Sequence, residues 1–339
     1  MWEDFPIYEG VRNFCNDAGP QIEEDKENPS DIFLMLFNSQ LLKHVAYHTN
    51  LYATQKMGGS THFQQTNEQE IKQFLAINLM MGIKKLPSYK DYWSSDPALR
   101  DVYISSIMSR NRFSWLLNHI QLNDNDKQPK KGDNNFDKLY KIRPLLVSLN
   151  DTFCNSYKPS CFQSVDESMI KFKGRSSLKQ YMPQKPIKRG YKVWVRANEN
   201  GYISQFEVYS GKVGTTTEKN LGARVVKTMT AILNGKNHRV FFDNYFSSLP
   251  LMRHLLQHQV YACGTVRQGR VGLPKDFTSD KNMERGEFQF RCSRDGLVVL
   301  LWKDKKPILF LSNFHDIQDV SSVERKNKDG TRTEISCHN

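Results

Sequence analysis

Ser164-Val165-Asp166-Glu167-Ser168-Met169-Ile170-Lys171-Phe172-Lys173-Gly174-Arg175 sets an acidic pair on a segment that reads as a short buried strand. It lies between a Tyr157-Lys158-Pro159 turn and a basic run through Lys179, Lys185, Lys188, Arg189 and Lys192 to Arg196. A carboxylate beside that much positive charge suits a metal-dependent nuclease, in which acidic oxygens hold a divalent cation and Lys and Arg hold the phosphates. A lone Asp is more often a cap or half of a salt bridge, so this reading needs a second acid.

The second acid stands in His238-Arg239-Val240-Phe241-Phe242-Asp243-Asn244-Tyr245-Phe246-Ser247-Ser248. Val240, Phe241 and Phe242 form a β-prone apolar run that ends in Asp243, and Ser247 or Ser248 is the expected N-cap of a helix from Leu249 to His258. Asp243 therefore falls at the C-terminal end of a strand, where open α/β sheets place their ligands. Two carboxylates on neighbouring strands suit a two-metal phosphodiester site with the ions about 4 Å apart. Glu167 alternates away from Asp166 and is expected to face elsewhere and pair with a basic side chain, while Asn244 either orients the site or serves the turn.

Around these two segments the pattern is β and then β/α. Lys192 to Ala197 alternates Val193, Val195 and Ala197 against Lys192, Trp194 and Arg196, and a second strand, Ile203 to Tyr209, follows the Asn200-Gly201 turn signal. Leu221 to Leu233 reads as a helix, Val240 to Asp243 as a strand, Leu249 to His258 as a helix and Val260 to Thr265 as a strand. Three strands, a helix, then alternating strands and helices is the order of an RNase H-like fold, which would bring Asp166 and Asp243 together at one sheet edge. Lys171, Lys173, Arg175, Lys185, Lys188, Arg189 and Lys192 are too many for a buried face. A solvated surface is the plain account of them, but unopposed charge beside Tyr181 and Trp194 favours phosphate binding, which does not specify bases.

Beyond Thr265, residues 266–306 read as an interruption: a basic loop with Arg267 and Arg270, which are further candidates for touching DNA, then a small β unit at Gly286 to Phe290 and Leu297 to Trp302. Pro307 to Ser312 would rejoin the main sheet, and Ser321 to Asn339 is expected to be a frayed polar tail.

Upstream, Trp2, Phe5, Ile7, Tyr8, Val11 and Phe14 suggest a strap, followed by the acidic link Glu23-Glu24-Asp25. A helix with Ser30 as N-cap is expected to carry Ile32, Phe33, Leu36, Phe37, Leu41 and Val45 on one face. His44 and His48 lie one turn apart on it, but no third ligand is evident and a structural role fits better. A second helix starts at Asn67, with Glu70 in capping-box spacing and Ile71, Phe74, Leu75, Leu79 and Met80 inward. Tyr89, Tyr92 and Trp93 are read as core in preference to base-stacking groups. Further helices are expected over Ile104 to Leu122, with Met108, Phe113, Leu116, Leu117 and Ile120 inward, and over Phe136 to Phe153.

The 48 Lys and Arg against 36 Asp and Glu leave a formal charge of +12, which favours a polyanionic partner. Cys15, Cys154, Cys161, Cys263, Cys292 and Cys337 form no CxxC pair and read as reduced thiols of an intracellular protein. No apolar run approaches the roughly 18 residues of a membrane span, and the acidic, aromatic start does not resemble a signal peptide.

The words SVDESMIKFKGRSSLKQYMPQKPIKRGYKVW and VFFDNYFSSLPL resemble the transposase domain of the piggyBac family, including its transposon-derived cellular members. IFLMLFNSQLLKHVAYHTNLYATQ, MGIKKLPSYKDYW, MSRNRFSWLLNHIQLNDND and FDKLYKIRPLLVSLNDTF resemble its upstream segments in the same order. The resemblance implies an RNase H-like DDE transposase core with an N-terminal all-helical region and a small β insertion. It matches Asp166 and Asp243 to the first two acids of a catalytic trio, with Mg²⁺ as cofactor, DNA as partner, a nuclear location and no membrane association. In the family, metal-activated water cuts a transposon end, and the freed 3′-hydroxyl attacks the opposing strand and later a TTAA target. The third acid follows there in a Gly-Val-Asp motif, which does not occur between Asp243 and Asn339. Asp316 or Asp319 as its stand-in is the weaker reading, because loop acids are usually solvated. The family's frequent C-terminal Cys-rich zinc module is likewise not matched.

The expected divisions are an N-terminal strap and linker at 1–29 and a helical dimerisation or DNA-binding region at 30–159. The first part of the catalytic core follows at 160–265, an insertion module at 266–306, a return strand at 307–320 and the tail at 321–339. The expected function is a transposable-element-derived DNA-binding protein with an incomplete site, not competent for transposition alone. The alternatives are a fragment of an active transposase, and an RNA-binding or scaffold protein. Homodimerisation is a possibility the resemblance leaves open.

Overall fold

The computed structural model describes residues 2–4, 10–23, 26, 28–59, 62–211, 218–277, 280–327 and 329–338. Phe5, Ile7 and Tyr8 of the expected strap, and Glu24 and Asp25 of the expected link, lie outside them. The chain divides into two compact units, Ile22–Ser156 and a discontinuous one made of Met1–Gln21 with Tyr157–Asn339.

The first of these is helical. Helix α1 is Pro29–Leu36, with Pro29 in its first turn and Asn28 in place of Ser30 at the N-cap. The helix expected to run on to Val45 is broken: α2, Ser39–Lys56, starts afresh because the Asn38 side chain accepts the Leu41 N–H at 2.9 Å. In α3, Glu68–Ile83, Asn67 caps the Glu70 N–H as expected, but the Glu70 carboxylate is taken by a two-pronged Arg112 guanidinium at 2.7 and 2.6 Å. Ile71, Phe74 and Ile77 are buried while Leu79, expected inward, is 56% exposed. Helices α4, Val102–Ile107, and α5, Arg110–His119, bury Ile104, Phe113 and Leu116, whereas Leu117 is exposed. Tyr92 is buried, and Tyr89 and Trp93 pack on the Phe113 ring, so these aromatics are core. Helix α6, Arg143–Asn155, begins well after Phe136, because Pro144 belongs in a first turn and a tight turn over Tyr140–Ile142 precedes it. His44 is held through Nε2 to the Leu122 carbonyl at 2.8 Å, a structural role.

The other unit is built on one mixed sheet whose strands are β1 (Trp2–Glu3), β4 (Phe162–Lys171), β5 (Gln180–Tyr181), β6 (Arg189–Asn198), β7 (Ile203–Val208), β8 (Arg239–Phe242), β9 (Tyr261–Thr265), β10 (Phe288–Ser293), β11 (Val298–Lys303) and β12 (Pro307–Ser312). Their order is β1-β10-β11-β12-β9-β8-β4-β6-β5, with β7 also pairing β6. At its centre β4, β8 and β9 run parallel, and β6 and β7 extend β4 antiparallel, which is the expected RNase H-like arrangement. Helices α7 (Leu221–Thr230) and α8 (Leu249–Gln257) bury Val225, Val226, Met229, Leu251, Met252 and Leu255 in one core with Val165, Trp194, Val240 and Val260. Ser248 is the N-cap of α8 without a side-chain bond, and Pro250 fills its first turn.

Three expectations are corrected here. Residues 266–306 do not form a β module of their own: β10, β11 and β12 continue the main sheet from β9 as an antiparallel meander, with Phe310 opposite Thr265. The end of the chain is not a frayed tail but a hairpin of β13 (Val320–Lys326) and β14 (Arg332–His338), anchored by buried Ile335 and by the Trp302 indole donating to the Ser336 carbonyl at 2.8 Å. The strap belongs with the sheet: β1 pairs β10, and β2 (Gly19–Pro20) pairs β3 (Tyr157–Lys158), where only a turn was expected. No helix of the described residues is long and apolar enough to cross a membrane.

Candidate functional site

Strand β4 buries alternate residues, Gln163, Val165 and Met169, and so turns Ser164, Asp166 and Ser168 to the solvent side. It is half-buried, not buried throughout as its sequence suggested. Strand β8 lies parallel beside it with Val165 opposite Phe242. The next residues along the two strands are Asp166 and Asp243, and both are exposed. Asp243 sits one residue past the end of β8, and its Oδ1 accepts the Tyr245 N–H at 2.8 Å, a local turn that fixes the carboxylate. Gly264 of β9 permits this strand end, because a Cβ there would stand 2.5 Å from the Phe242 carbonyl oxygen.

The Asp166 side chain is 53% exposed, yet the protein packed around its inner half withdraws enough water to push the carboxyl up, and the charges of Glu167 and Asp243 add to the rise, against the Glu167 N–H and Lys185. The Glu167 N–H donates to Asp166 Oδ1 at 2.7 Å. Glu167 moves the other way: burial opposes its charge, but a hydrogen bond from Lys185 and the charges of Lys192 and Lys185 hold it below the usual range. It does find basic partners, as expected, yet it does not leave the site. Lys185 Nζ lies 2.9 Å from Glu167 Oε1 and 3.9 Å from Asp166 Oδ2, so one ammonium joins the two acids. Lys192 Nζ approaches the other Glu167 oxygen at 3.9 Å and lies over the rings of Tyr245 and Trp194. Burial, followed by nearby negative charge that includes Glu167 and Asp243, raises the Tyr245 phenol. Tyr245 is thus part of the cluster, a contact that its position two residues after Asp243 hinted at and the sequence reading missed.

The cations nominated from sequence separate into three sets. Lys185 and Lys192 are engaged with Glu167. Arg267 and Arg270 clamp the chain after Asp243: Arg267 Nε donates to Asn244 Oδ1 at 3.0 Å, and Arg270 donates to the carbonyls of Asn244 and Tyr245 at 2.9 and 3.1 Å. Asn244 therefore serves the turn. The rest, Lys171, Lys173, Arg175, Lys188 and Arg189, are exposed and pair with no carboxylate among the described residues, and Arg189 stacks on the exposed Tyr181 ring at 5.0 Å. Arg196, which closed the basic run, is wholly buried and donates to Gln163 Oε1 at 2.7 Å.

A hard divalent ion needs several convergent oxygen donors. Among the described residues no three His, Cys, Asp or Glu side chains converge as a metal-holding group, so neither Asp316 nor Asp319 completes a trio with Asp166 and Asp243. The Asp316 carboxylate instead accepts the Gln318 N–H at 2.9 Å. With two carboxylates and no third donor among the described residues, the residues present do not fit a complete metal centre.

A DDE transposase family model, described as Transposase IS4, matches residues 28–338. Human PiggyBac transposable element-derived protein 3 is 31% identical over 307 residues, which is 88% of this chain and 50% of the relative. Human PiggyBac transposable element-derived protein 2 is 29% identical over 330 residues, covering 94% of this chain and 54% of the relative. Among solved structures, that of a piggyBac transposase synaptic complex with hairpin DNA superposes with a TM-score of 0.76 at 25% identity, over 93% of this chain and 66% of that one. The chain spans about half the length of the curated relatives it matches.

Proposed function

Because this chain belongs to the piggyBac-type DDE transposase family, we propose that it is a transposon-derived, nuclear DNA-binding protein whose catalytic centre is incomplete. The observation that carries this reading is the set of exposed cations without carboxylate partners among the described residues, Lys171, Lys173 and Arg175 at one end of the Asp166 strand, and Lys188 and Arg189 on the neighbouring hairpin. Such a strip neutralises backbone phosphates and binds many sequences alike. DNA is favoured over RNA as its partner because the superposable piggyBac transposase is in complex with DNA. Asp166 and Asp243 are the remnant of the acidic trio, and two carboxylates without a third oxygen donor hold Mg²⁺ weakly.

Fluorescence anisotropy with labelled duplexes tests the proposal. Affinity is expected to fall by orders of magnitude between about 50 and 200 mM salt, and Lys188→Ala with Arg189→Ala to flatten the logarithmic salt slope by roughly 2 on every sequence. Binding that ignores salt, or that prefers RNA, would instead support the RNA-binding or scaffold reading. A second reading follows from length: the chain covers only 50–54% of these relatives, so a longer form bearing a third carboxylate would cut and join DNA at TTAA. Mg²⁺-dependent strand cleavage by this chain, lost in Asp166→Ala, would establish that reading and end the non-catalytic one.

A further inference from the structure

Helix α3 is apolar on two sides. Ile71, Phe74 and Ile77 pack into the helical core, while Ala76, Leu79 and Ile83, spaced by three and four residues, make a second stripe in solvent, with Ile83 82% exposed. A Cβ at Gly82 would meet no atom within 4 Å, so that side of the helix is open. Tyr92 ties its end to the start of α4: the Tyr92 hydroxyl donates to the Lys84 carbonyl, the Tyr92 carbonyl accepts the Asp101 N–H at 3.0 Å, and Lys84 Nζ lies 2.7 Å from Asp101 Oδ2. Ile83 precedes this ion pair on one helix, and Val102 and Tyr103 follow it on the other at 73% and 62% exposure. A single exposed apolar residue is ordinary, but Leu79, Ile83, Val102 and Tyr103 gather around one ion pair. The rim is basic. Lys85, Lys90 and Arg100 are exposed and pair with no carboxylate among the described residues, and Lys84 neutralises Asp101. The other acids of this stretch, Asp91 and Asp96, each accept a backbone N–H of their own turn.

We propose that this α3–α4 face is the docking surface for an acidic amphipathic helix of a partner protein, whose apolar residues cover Leu79, Ile83, Val102 and Tyr103 and whose flanking carboxylates meet Lys85 and Arg100. Such a helix brings apolar anchors at the same spacing as the α3 stripe. A second copy of this chain would set Lys85 and Arg100 against themselves across a two-fold axis, where like charges oppose pairing. A nucleic-acid backbone would use the cations but leave the aliphatic groups bare, since phosphates have nothing with which to cover them.

Helical peptides displayed on phage, with a fixed leucine stripe and flanking positions drawn from Glu, Gln and Lys, test this by selection on the full chain. Binders are expected to carry Glu flanks, and a synthesised binder to lose roughly tenfold or more in affinity for the chain with Ile83→Ser and Val102→Ser. Lys85→Glu with Arg100→Glu should reverse the preference, so that Lys-flanked peptides bind and Glu-flanked ones do not. Circular dichroism verifies that each variant is folded. No enrichment, Gln or Lys flanks on the wild type, or binding indifferent to the serine variant overturns the proposal. So does a chain that sediments as a dimer and becomes monomeric in the serine variant, which assigns the face to a second copy. A labelled DNA duplex whose binding the serine variant weakens overturns it as well, by assigning the face to nucleic acid.

Discussion

His238 shows how much one residue can hide. It precedes β8, is 2% exposed, and is held through Nδ1 to the Ser160 carbonyl at 2.9 Å with the Phe14 ring 4.8 Å away. Burial, reinforced by the charges of Arg196 and Lys236, lowers its pKa to about 4. The folded chain therefore keeps this ring neutral, with the Nδ1 proton given to Ser160, while the unfolded chain protonates it near 6.5. The unfolded state binds the extra proton, so stability is fully present above about pH 6.5 and is lost as pH falls toward 4, by on the order of 3 kcal/mol. Urea unfolding at several pH values in that window should show a distinctly shallower slope for His238→Gln than for the wild type. Nothing in the sequence signalled this burial, just as nothing signalled that of Arg196. Alternation along β6 set Arg196 opposite Val195 and so toward solvent; the alternation holds from Trp194 to Asn198, but Trp194, Arg196 and Asn198 are the buried set and Val195 and Ala197 the half-buried one, so hydropathy picked the wrong face. Asp243 was legible because an apolar β-prone run stops at it, and Asp166 because it belongs to an acidic pair on a strand beside a basic run.

Among the elements, the β4–β6 pair decides whether the acids and the cations share a surface. Its weak point is Gly190, opposite Lys171, where an added Cβ would lie 1.9 Å from the Ile170 carbonyl oxygen. That contact is with backbone and has no side chain to yield, so Gly190→Ala must splay the two strands. The cost is expected at or above the upper end of the roughly 1–3 kcal/mol typical of overpacking, read as a lower urea midpoint. Gly82 of α3 is the control: no atom lies within 4 Å of its Cβ position, and Ala there should stabilise by up to about 1 kcal/mol. The elements themselves were largely readable, and their ends were not, for a local reason. Asn38 accepts the Leu41 N–H and starts a new helix inside an apolar stripe that by periodicity alone runs straight through it. Likewise the Gly-rich stretch around Gly269 and Gly272 reads as a boundary, whereas the register that returns β12 to β9 depends on residues some 45 positions apart, Phe310 and Thr265.

For the whole molecule, a helical first part and an α/β second part follow from periodicity, but the discontinuity of the second does not. No local pattern ties Trp2 to Ser293 or Gly19 to Lys158, yet those pairings make the beginning of the chain part of the sheet unit. The helical unit, Ile22–Ser156, is by contrast continuous and has a core of its own, with Leu42, Ile71, Ile77, Ile104, Phe113 and Leu116 almost wholly buried. At that length a single chain buries enough apolar surface to fold alone. Residues 22–156 expressed by themselves are therefore expected to give a helical circular dichroism spectrum and a cooperative thermal transition; a featureless melt would show that the division is one of contacts and not of folding. The sheet unit makes the opposite prediction. Residues 157–339 without the first 21 lose the β1 edge, the Arg12 N–H bond to the Tyr261 hydroxyl at 2.8 Å, the Trp2 indole bond to the Gly272 carbonyl at 2.8 Å and the Phe14 cover over His238. Each is worth roughly 1 kcal/mol, so this fragment should melt several degrees below the full chain, and adding residues 1–21 back as a peptide should restore part of the loss.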